Sequence, residues 1–381
     1  MADLLTDWTD FSLREQIGQM VTIRASGYLF DHQIRYPAWE PPTAKLRDWL
    51  LELNLGGVIL LGGSAAEIAL RTQQLQAWAR TPLLVAADVE EGVGQRFSGA
   101  TWFPPPMALG AIAKGAAVRS ARHHALQMGA ITAKEALSIG INWLFAPVVD
   151  VNNNPDNPAI NVRSFADTPE IVSHLATAFI EGAKQYPILT TAKHFPGHGD
   201  TAVDSHLDLP VLPHPASRLA QVELPPFQAA IAAGADCVMS AHLLIPGWDE
   251  QRPATLSQQI LTGQLRQELG FEGLIVTDAL IMGGVAKYAS PAELAVMAVE
   301  AGADILLMPA DPEVAIAAVE EAVRSGRLSQ ERIAQSAERL WKAKRKVLYS
   351  PPPDSLSQLS KPEAREAAAA ILRGSMARGG A

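Results

Sequence analysis

Short, continuous apolar runs alternate with longer mixed stretches along most of the chain. Each run is five to nine residues long, and its apolar residues are consecutive instead of alternating with polar ones. Such continuity is typical of parallel strands that are buried on both faces. We therefore predict eight strands, from the runs QMVTI (19–23), GVILL (57–61), LLVAAD (83–88), WLFAPVVDV (143–151), ILTTAKHF (188–195), CVMSAH (237–242), GLIVTD (273–278) and DILLMP (304–309).

The segments between these runs carry helix signals. Ser12 with Glu15 and Ser64 with Glu67 have the spacing of a capping box at the start of a helix. Eight strand–helix units over roughly 350 residues predict an α/β protein built as a single (β/α)8 TIM-type barrel. A doubly wound sheet is disfavoured because no GxGxxG motif follows the first run.

The barrel is expected to form a catalytic domain over residues 1–348. Residues 349–381 contain SPPPDSLSQLSKP, which has the composition of a linker, and then the helix-like EAREAAAAILRGSM. We predict a Pro-rich linker and a short C-terminal helix with a tail.

Composition narrows the partners and the compartment. The 381 residues are 48% hydrophobic, and 40 Asp and Glu against 31 Lys and Arg give a net charge of −9. An acidic chain argues against nucleic acid or an anionic membrane as the main partner. Cys237 is the only cysteine, the N-terminus does not resemble a signal peptide, and no run is long enough to span a bilayer. We expect a cytoplasmic protein; its protein partners and oligomeric state are not readable from the sequence.

Polar side chains follow five of the predicted strands. In a barrel the carboxyl ends of the strands form one rim, and active sites lie there. A single Asp after a strand most often caps the next helix. The argument for a site therefore depends on polar residues following several strands that end at the same rim. Lys193 is the exception, because a lysine that ends a buried strand needs a counter-charge or a ligand. The candidates are Asp88, Arg96, Arg163, Lys193, His194 and Asp278, while His242 is more readily interpreted as a hydrogen-bonded core histidine.

The stretch KHFPGHGDTAVDSH (193–206) places six ionisable side chains in fourteen residues. Its histidines and aspartates are sufficient for a zinc site. However, Pro196 and Gly197 separate His194 from His198, so the helical HExxH arrangement is absent, and no HxH pair lies on an early strand. We therefore predict neither a metal ion nor another cofactor.

The same stretch, followed by LDLPVLP, resembles the signature loop of glycoside hydrolase family 3, in its β-N-acetylhexosaminidase branch. Further segments resemble the family in the same order, from about residue 12 to 345. They are DVEEGVGQRF (88–97), NVRSF (161–165), ELPPF (223–227), RPATLS (252–257) and VTDALIMGGV (276–285).

The resemblance implies a retaining β-glycosidase on a (β/α)8 barrel. Asp278 matches the family nucleophile, His206 the general acid/base of the N-acetylhexosaminidase branch, and Asp204 the partner of that histidine. The positions that match residues holding the sugar in the −1 site are Asp88, Arg96, Arg163, Lys193 and His194.

The chemistry of the residues agrees with this mechanism. A retaining glycosidase needs a nucleophile on one face of the anomeric carbon and a proton donor on the other. Cations such as Lys193 keep a nearby Asp278 ionised, and a histidine with a reference pKa of about 6.5 suits proton transfer near neutral pH. Asp204 would orient the ring of His206. Since no Asp–Glu pair follows a strand to steer an acetamide, a covalent intermediate on Asp278 is expected.

Two features depart from the family pattern. Glu91 and Val93, in EEGVGQRF, replace the residues expected there, which predicts altered contacts beyond the −1 sugar. Many members carry a second α/β domain, whereas this sequence stops soon after EAREAAAAILRGSM. A carboxylic acid donor from such a domain is then absent, and this favours His206 as the donor.

Three alternatives stay open beside removal of a terminal β-linked N-acetylglucosamine. They are a β-glucosidase or broad exo-glycosidase of the same family, a phosphorylase, and a catalytically silent sugar-binding protein. The expected partner is a small carbohydrate, either a cell-wall fragment in peptidoglycan recycling or a chito-oligosaccharide. The aromatic loop at 25–45 either stacks on a sugar beyond −1 or packs on the barrel.

Overall fold

The computed structural model describes residues 5, 7–114, 117–202, 209–348 and 355–379. Eight strands form within it, and each overlaps one of the predicted apolar runs. They are β1 (Val21–Ser26), β2 (Gly57–Leu61), β3 (Leu84–Ala87), β4 (Trp143–Leu144), β5 (Leu189–Phe195), β6 (Cys237–Ser240), β7 (Leu274–Val276) and β8 (Leu306–Leu307).

The strands form one closed parallel sheet. Each strand pairs with its neighbour in the chain, and β1 also pairs with β8. The gap between β7 and β8 is closed by a parallel bridge between Val276 and Ile305, where the amide of Thr277 donates to the carbonyl oxygen of Ile305 at 3.0 Å. The predicted (β/α)8 TIM-type barrel is therefore confirmed.

Helices surround the barrel, and both predicted capping boxes are present, at Ser12 with Glu15 and at Ser64 with Glu67. Between β6 and β7 the chain forms a π-helical segment, Gln259–Glu268. The α-helices are α1 (Leu13–Gln19), α2 (Thr43–Glu52), α3 (Ala65–Trp78), α4 (Met107–Ala113), α5 (Val118–Ser138), α6 (Pro169–Ala183), α7 (Ala216–Gln221), α8 (Leu224–Ala232), α9 (Gly283–Ala286), α10 (Pro291–Ala301), α11 (Pro312–Arg324), α12 (Gln330–Lys346) and α13 (Pro362–Gly379).

The barrel has two apolar layers because successive side chains of a strand point to opposite faces. Val85 and Ala87 of β3 belong to the outer layer, which packs against the helices. Leu84 and Ala86 belong to the inner layer, together with the indole of Trp143. The barrel interior is therefore packed with side chains.

Helix α12 closes the end of the barrel at which the strands begin. Trp341 is buried with the inner layer, and its ring meets that of Phe11 edge to face at 5.3 Å. Lys344 reaches the chain just before β1 and β3, donating to Gln19 Oε1 at 2.6 Å and to the carbonyl oxygen of Pro82 at 2.7 Å. Among the described residues, α12 therefore covers the end of the barrel opposite the carboxyl ends of the strands.

Helix α13 provides the predicted C-terminal helical extension. It packs against α4 and α5 through the buried side chains Ala364, Ala367 and Ile371. Just before it, the amide of Ser360 donates to Glu135 at 2.7 Å. Within the described ranges, no helix has both the length and the apolar character needed to cross a lipid bilayer. The division at residue 348 stays a prediction.

Candidate active site

A cavity of about 510 Å3 opens at the carboxyl ends of the strands. Successive side chains of a strand alternate between the inside and the outside of the barrel. By this alternation, Asp88, Lys193 and Asp278 lie on the inward-facing sides of β3, β5 and β7. Six of the site residues predicted from the sequence line this cavity: Asp88, Arg96, Arg163, Lys193, His194 and Asp278. The structure thus brings together every predicted site residue that it describes.

A buried ion-pair cluster centres on Lys193, which is only 1% exposed. Its ammonium group lies 2.7 Å from Asp88 Oδ1 and 2.6 Å from Glu90 Oε1. Arg163 donates to both oxygens of the Glu90 carboxylate, from Nε at 2.9 Å and from Nη2 at 2.8 Å. The counter-charge that the sequence requires for Lys193 is therefore supplied by two carboxylates.

Burial and charge oppose each other in this cluster. Burial alone would raise the pKa of Glu90, but Arg163 and Lys193 outweigh it and hold that pKa well below its usual value. Burial alone would lower the pKa of Lys193, but the Asp88 and Glu90 carboxylates outweigh it and raise that pKa. Glu90, Arg163 and Lys193 are therefore ionised at neutral pH, and ionised groups make stronger hydrogen bonds than neutral ones.

His194 is oriented by a carboxylate that lies behind it. Its Nδ1 lies 2.8 Å from Asp150 Oδ2, and the amide of His198 donates to Asp150 Oδ1 at 2.7 Å. Burial would raise the pKa of Asp150, but the charges of His194 and His198 and the bond from the His198 amide lower it. An ionised Asp150 makes Nδ1 of His194 the protonated nitrogen, so Nε2 is the remaining nitrogen of a ring that lines the cavity.

Asp278 is a carboxylate that the site keeps ionised. Burial would raise its pKa, but His194, His242, the amide of Ala279 and Lys193 together lower it below the usual value. The Ala279 amide donates to Asp278 Oδ1 at 2.8 Å. A partly exposed carboxylate that stays ionised and lines a cavity is chemically suited to act as a nucleophile.

His242 lies behind Asp278 and is fully buried. Its ring nitrogens contact Thr255 Oγ1 at 2.9 Å and the carbonyl oxygen of Ala279 at 3.0 Å. This agrees with the interpretation of His242 as a hydrogen-bonded core histidine. Through Ala279, it also fixes the backbone next to Asp278.

The predicted proton-transfer pair, Asp204 and His206, lies outside the described residues. In the described part of the stretch 193–206, His198 and Asp200 point to different surroundings. His198 lines the cavity, whereas Asp200 points to His214, with Oδ2 2.6 Å from Nε2, and lies 3.5 Å from Arg218.

The glycines of this stretch allow close packing. Gly197 has a φ of +136°, a conformation that L-residues rarely adopt. A Cβ on Gly199 would lie 1.8 Å from the carbonyl oxygen of Val151. Asn157 then joins the two loops, donating from Nδ2 to the carbonyl oxygens of His198 at 2.8 Å and Gly199 at 3.0 Å. The long loop after β4 is thus a support for the segment that leads to His206.

Three charged residues of the site were missed by the sequence reasoning. Glu90 follows Asp88 by two residues, so the alternation of the strand was the signal for it. Asp150 was read as part of a nine-residue strand. Arg24 lines the cavity from β1, on the same face of the strand as Thr22, and the predicted strand ended one residue before it.

Among the residues that the structure describes, no group of three or more His, Cys, Asp or Glu side chains is arranged to hold a metal ion. The charges around the cavity instead form ion pairs with one another.

Comparison with known proteins decides the family. The profile described as "Glycosyl hydrolase family 3 N terminal domain" matches residues 12–343. The chain belongs to glycosyl hydrolase family 3. The family resemblance drawn from KHFPGHGDTAVDSH and the other motifs is therefore confirmed.

Several curated family 3 relatives carry hexosaminidase names. "Beta-hexosaminidase A" of Pseudoalteromonas piscicida is 37% identical over 341 residues, which is 81% of this chain and 56% of that protein. "Beta-hexosaminidase" of Thiobacillus denitrificans is 37% identical over 265 residues, 68% of this chain and 73% of that one. The chain thus spans little more than half of the first relative and about three quarters of the second.

Solved family 3 structures are also similar. A β-N-acetylglucosaminidase from Paenibacillus sp. str. FPU-7 has a TM-score of 0.84 and 36% identity, covering 96% of this chain and 69% of that one. A structure described as "Beta-glucoside phosphorylase BglX bound to 2FGlc" has a TM-score of 0.85 and 27% identity, covering 95% and 65%.

Proposed function

We propose that this protein is a retaining exo-glycosidase that removes a terminal β-linked N-acetylglucosamine. The observation that carries the proposal is the ionised carboxylate of Asp278, which lines the same cavity as Lys193 and His194. The names of the relatives that the chain resembles support the choice of sugar. Cell-wall fragments and chito-oligosaccharides both present such a sugar.

In the proposed first step, an oxygen of Asp278 attacks the anomeric carbon and forms a glycosyl ester. The bond from that carbon to the glycosidic oxygen breaks, and the leaving oxygen takes a proton from His206, which Asp204 orients. In the second step water attacks the same carbon, gives its proton to His206, and releases the sugar and the Asp278 carboxylate.

The remaining site residues hold the sugar in the −1 position. The carboxylate of Asp88 accepts hydrogen bonds from sugar hydroxyls, and the cations of Arg163 and Lys193 donate them. His194 donates or accepts through Nε2. Arg96 is tied to Asp88, since its Nε donates to the Asp88 carbonyl oxygen at 2.9 Å. Such positioning is expected to raise kcat because it aligns the anomeric carbon with Asp278.

Trapping tests the nucleophile. A 2-fluoro sugar with a good leaving group is expected to label Asp278, and peptide mass analysis after digestion identifies the site. Asp278→Asn is expected to lose at least about 10³-fold in kcat and to take up no label. Label on another residue, or none in the wild-type protein under conditions of measurable turnover, contradicts the assignment.

Leaving-group dependence tests His206. His206→Ala is expected to lose about 10²- to 10⁴-fold in kcat/KM on substrates with poor leaving groups. Nitrophenyl substrates need little protonation, so their loss is expected to be far smaller. Equal losses on both classes would remove His206 from the acid role.

A phosphorylase is the second candidate, and the similarity to the β-glucoside phosphorylase structure favours it. A neutral histidine base does not repel an incoming phosphate as a carboxylate would. Sugar 1-phosphate among the products, formed only when phosphate is present, would identify this activity.

Sugar preference separates the hexosaminidase from a β-glucosidase. A relative from Cellulomonas fimi with 30% identity is named "Beta-N-acetylglucosaminidase/beta-glucosidase". Paired assays with nitrophenyl β-glucoside and nitrophenyl β-N-acetylglucosaminide measure the preference directly. Binding of either sugar without turnover would indicate a silent sugar-binding protein.

A further inference from the structure

Two smaller cavities adjoin the one that contains Asp278. The first, of about 230 Å3, lies between the loop after β1 and the loop after β8, and we name it the Trp49 cavity after the indole in its wall. The second, of about 240 Å3, lies between Trp39 and helix α10. Trp39 and Ile281 line all three spaces. The three cavities therefore adjoin one another at Trp39 and Ile281, and we refer to them together as the cleft.

Trp39 is 47% exposed, yet its surroundings hold it in place. The ring of Tyr36 stacks with it at a centroid distance of 5.8 Å and an interplanar angle of 13°. The guanidinium carbon of Arg24 lies 4.6 Å from the Tyr36 ring and 5.5 Å from the Trp39 ring. Arg24 is itself fixed by a buried ion pair to Glu40, at 2.7 Å. A flat aromatic face that is already ordered loses little entropy when a sugar ring stacks on it.

The Trp49 cavity has rigid walls. Trp49 is held by a hydrogen bond from Nε1 to Glu313 Oε1 at 2.6 Å. Proline rings have a fixed backbone φ and no side-chain freedom to lose. The prolines that line the cavity are Pro37, Pro41, Pro42, Pro309 and Pro312.

The charges of the Trp49 cavity balance. Lys45 lies over the Trp49 ring at 4.5 Å, and Asp311 contributes the opposite charge, while Arg24 is neutralised by Glu40. The Asp311 carboxylate also accepts the amides of Glu313 and Val314. A cavity of aromatic and proline surface with no excess charge favours a neutral, polar ligand over an anionic one.

We propose that this cleft binds the aglycone of an extended neutral oligosaccharide, with one sugar ring on Trp39 and the next in the Trp49 cavity. The proposal rests on the proposed function, because it assumes that the −1 sugar lies beside Asp278. It narrows the substrate class from any terminal β-N-acetylglucosaminide to chains of at least three sugars.

Chain-length dependence tests the proposal. The substrates are β-1,4-linked N-acetylglucosamine dimer, trimer and tetramer, with β-N-acetylglucosaminyl fluoride as a substrate whose leaving group is a single atom. In the wild-type protein kcat/KM is expected to rise from dimer to trimer. Trp39→Ala is expected to lose about tenfold or more in kcat/KM on every oligomer, relative to the change that the same substitution causes on the fluoride.

A steric variant separates the Trp49 cavity from the Trp39 platform. Ala310 is exposed and lines both smaller cavities but not the cavity of Asp278, so a large side chain there fills the Trp49 cavity without entering the core. Ala310→Trp is expected to abolish the gain from dimer to trimer and to leave the dimer and the fluoride unchanged. Trp102→Ala is the matched control, because Trp102 is 64% exposed and lines none of the three cavities.

The outcomes distinguish this proposal from the proposed function. Turnover of the fluoride with no gain from dimer to trimer, or a gain that survives both Trp39→Ala and Ala310→Trp, overturns the cleft proposal alone. No turnover of the fluoride or of any oligomer overturns the proposed function. In that case the affinities of dimer and trimer for the wild-type protein and for Trp39→Ala are measured by calorimetry. If the wild-type protein binds trimer no more tightly than dimer, or if Trp39→Ala binds both as tightly as wild type does, the cleft proposal is overturned.

Discussion

Glu90 is shared by Arg163 and Lys193, and this sharing determines the charge of the cavity. Both cations point at one buried carboxylate, and Lys193 also contacts Asp88. Removing one charged side chain of this cluster leaves its partners buried without a full counter-charge. The resulting loss of stability is larger than the net contribution of an ion pair to stability. Glu90 therefore supports both the fold and the positions of Arg163 and Lys193.

Neutralising Glu90 tests this dependence. Glu90→Gln is expected to lower the free energy of unfolding by about 3–5 kcal/mol, because Arg163 and Lys193 lose a buried counter-charge. Urea unfolding at neutral pH measures the change. Glu91→Gln is the matched control, since Glu91 bonds the exposed Trp102 at 2.7 Å instead of a buried cation. Equal effects of both substitutions would contradict the role of the cluster.

At the residue scale, the sequence could reveal which charged residues lie at the rim of the barrel but not how they pair with one another. Lys193 was predictable because a buried ammonium needs a partner. The alternation after Asp88 could have placed Glu90 at the rim, but not its ion pairs, because its partners come from β5 and from the loop after β4, which lie about 70 to 100 positions away. Asp150 was hidden within an apolar run.

Among the elements, β4 shows why the predicted boundaries failed. The run at 143–151 predicts nine strand residues, but only Trp143–Leu144 is regular strand. Pro147 has no N–H with which to extend the ladder. The chain still follows β5, since the amide of Val149 donates to the carbonyl oxygen of Lys193 at 2.8 Å, and this places Asp150 beside His194. The apolar runs were sufficient to predict that the strands exist. The residues at which the strands end depend instead on hydrogen bonds to neighbouring strands, which the sequence does not show.

The loop after β5 depends on a close approach of two backbones, which Gly199→Ala tests. The new methyl group would meet the carbonyl oxygen of Val151, so we expect the segment that leads to Asp204 and His206 to shift. Stability is expected to fall by about 1–3 kcal/mol, and kcat by at least about tenfold on poor leaving groups. Gly263→Ala is the control, because the nearest atom to its new Cβ lies 3.8 Å away. Unchanged kcat in a folded Gly199→Ala protein would contradict this account.

In the whole molecule, the buried lysines at the two ends of the barrel differ in their partners and in the direction of their pKa shifts. At the cavity end Lys193 has two carboxylate partners and a raised pKa. At the closed end Lys344 contacts Gln19 Oε1 and a carbonyl oxygen, and burial lowers its pKa to about 7. The closed end therefore contains a lysine that is partly neutral near physiological pH.

Stability is expected to depend on pH through Lys344. Its pKa is about 7 in the folded protein and about 10.4 in an unfolded chain. Between these values the unfolded state binds more protons, so stability rises with pH from about 7 to about 10 and is lost as pH falls. Urea unfolding from pH 7 to pH 9.5 should show a rise of about 1–3 kcal/mol, which Lys344→Met removes.

Lys342→Met is the matched control for Lys344, because Lys342 lies on the same helix and is exposed. It is expected to keep the wild-type slope of stability against pH. The same slope in Lys344→Met as in wild type would show that Lys344 is not the titrating group.

Trp143 and Trp341 fill the interior of the barrel, and α12 covers the end at which the strands begin. Among the described residues, the cavity therefore opens at the carboxyl ends of the strands. Under the proposed mechanism, the leaving fragment departs through this opening first and the −1 sugar follows. The released sugar can rebind by the same route, so we expect the final product to be a competitive inhibitor.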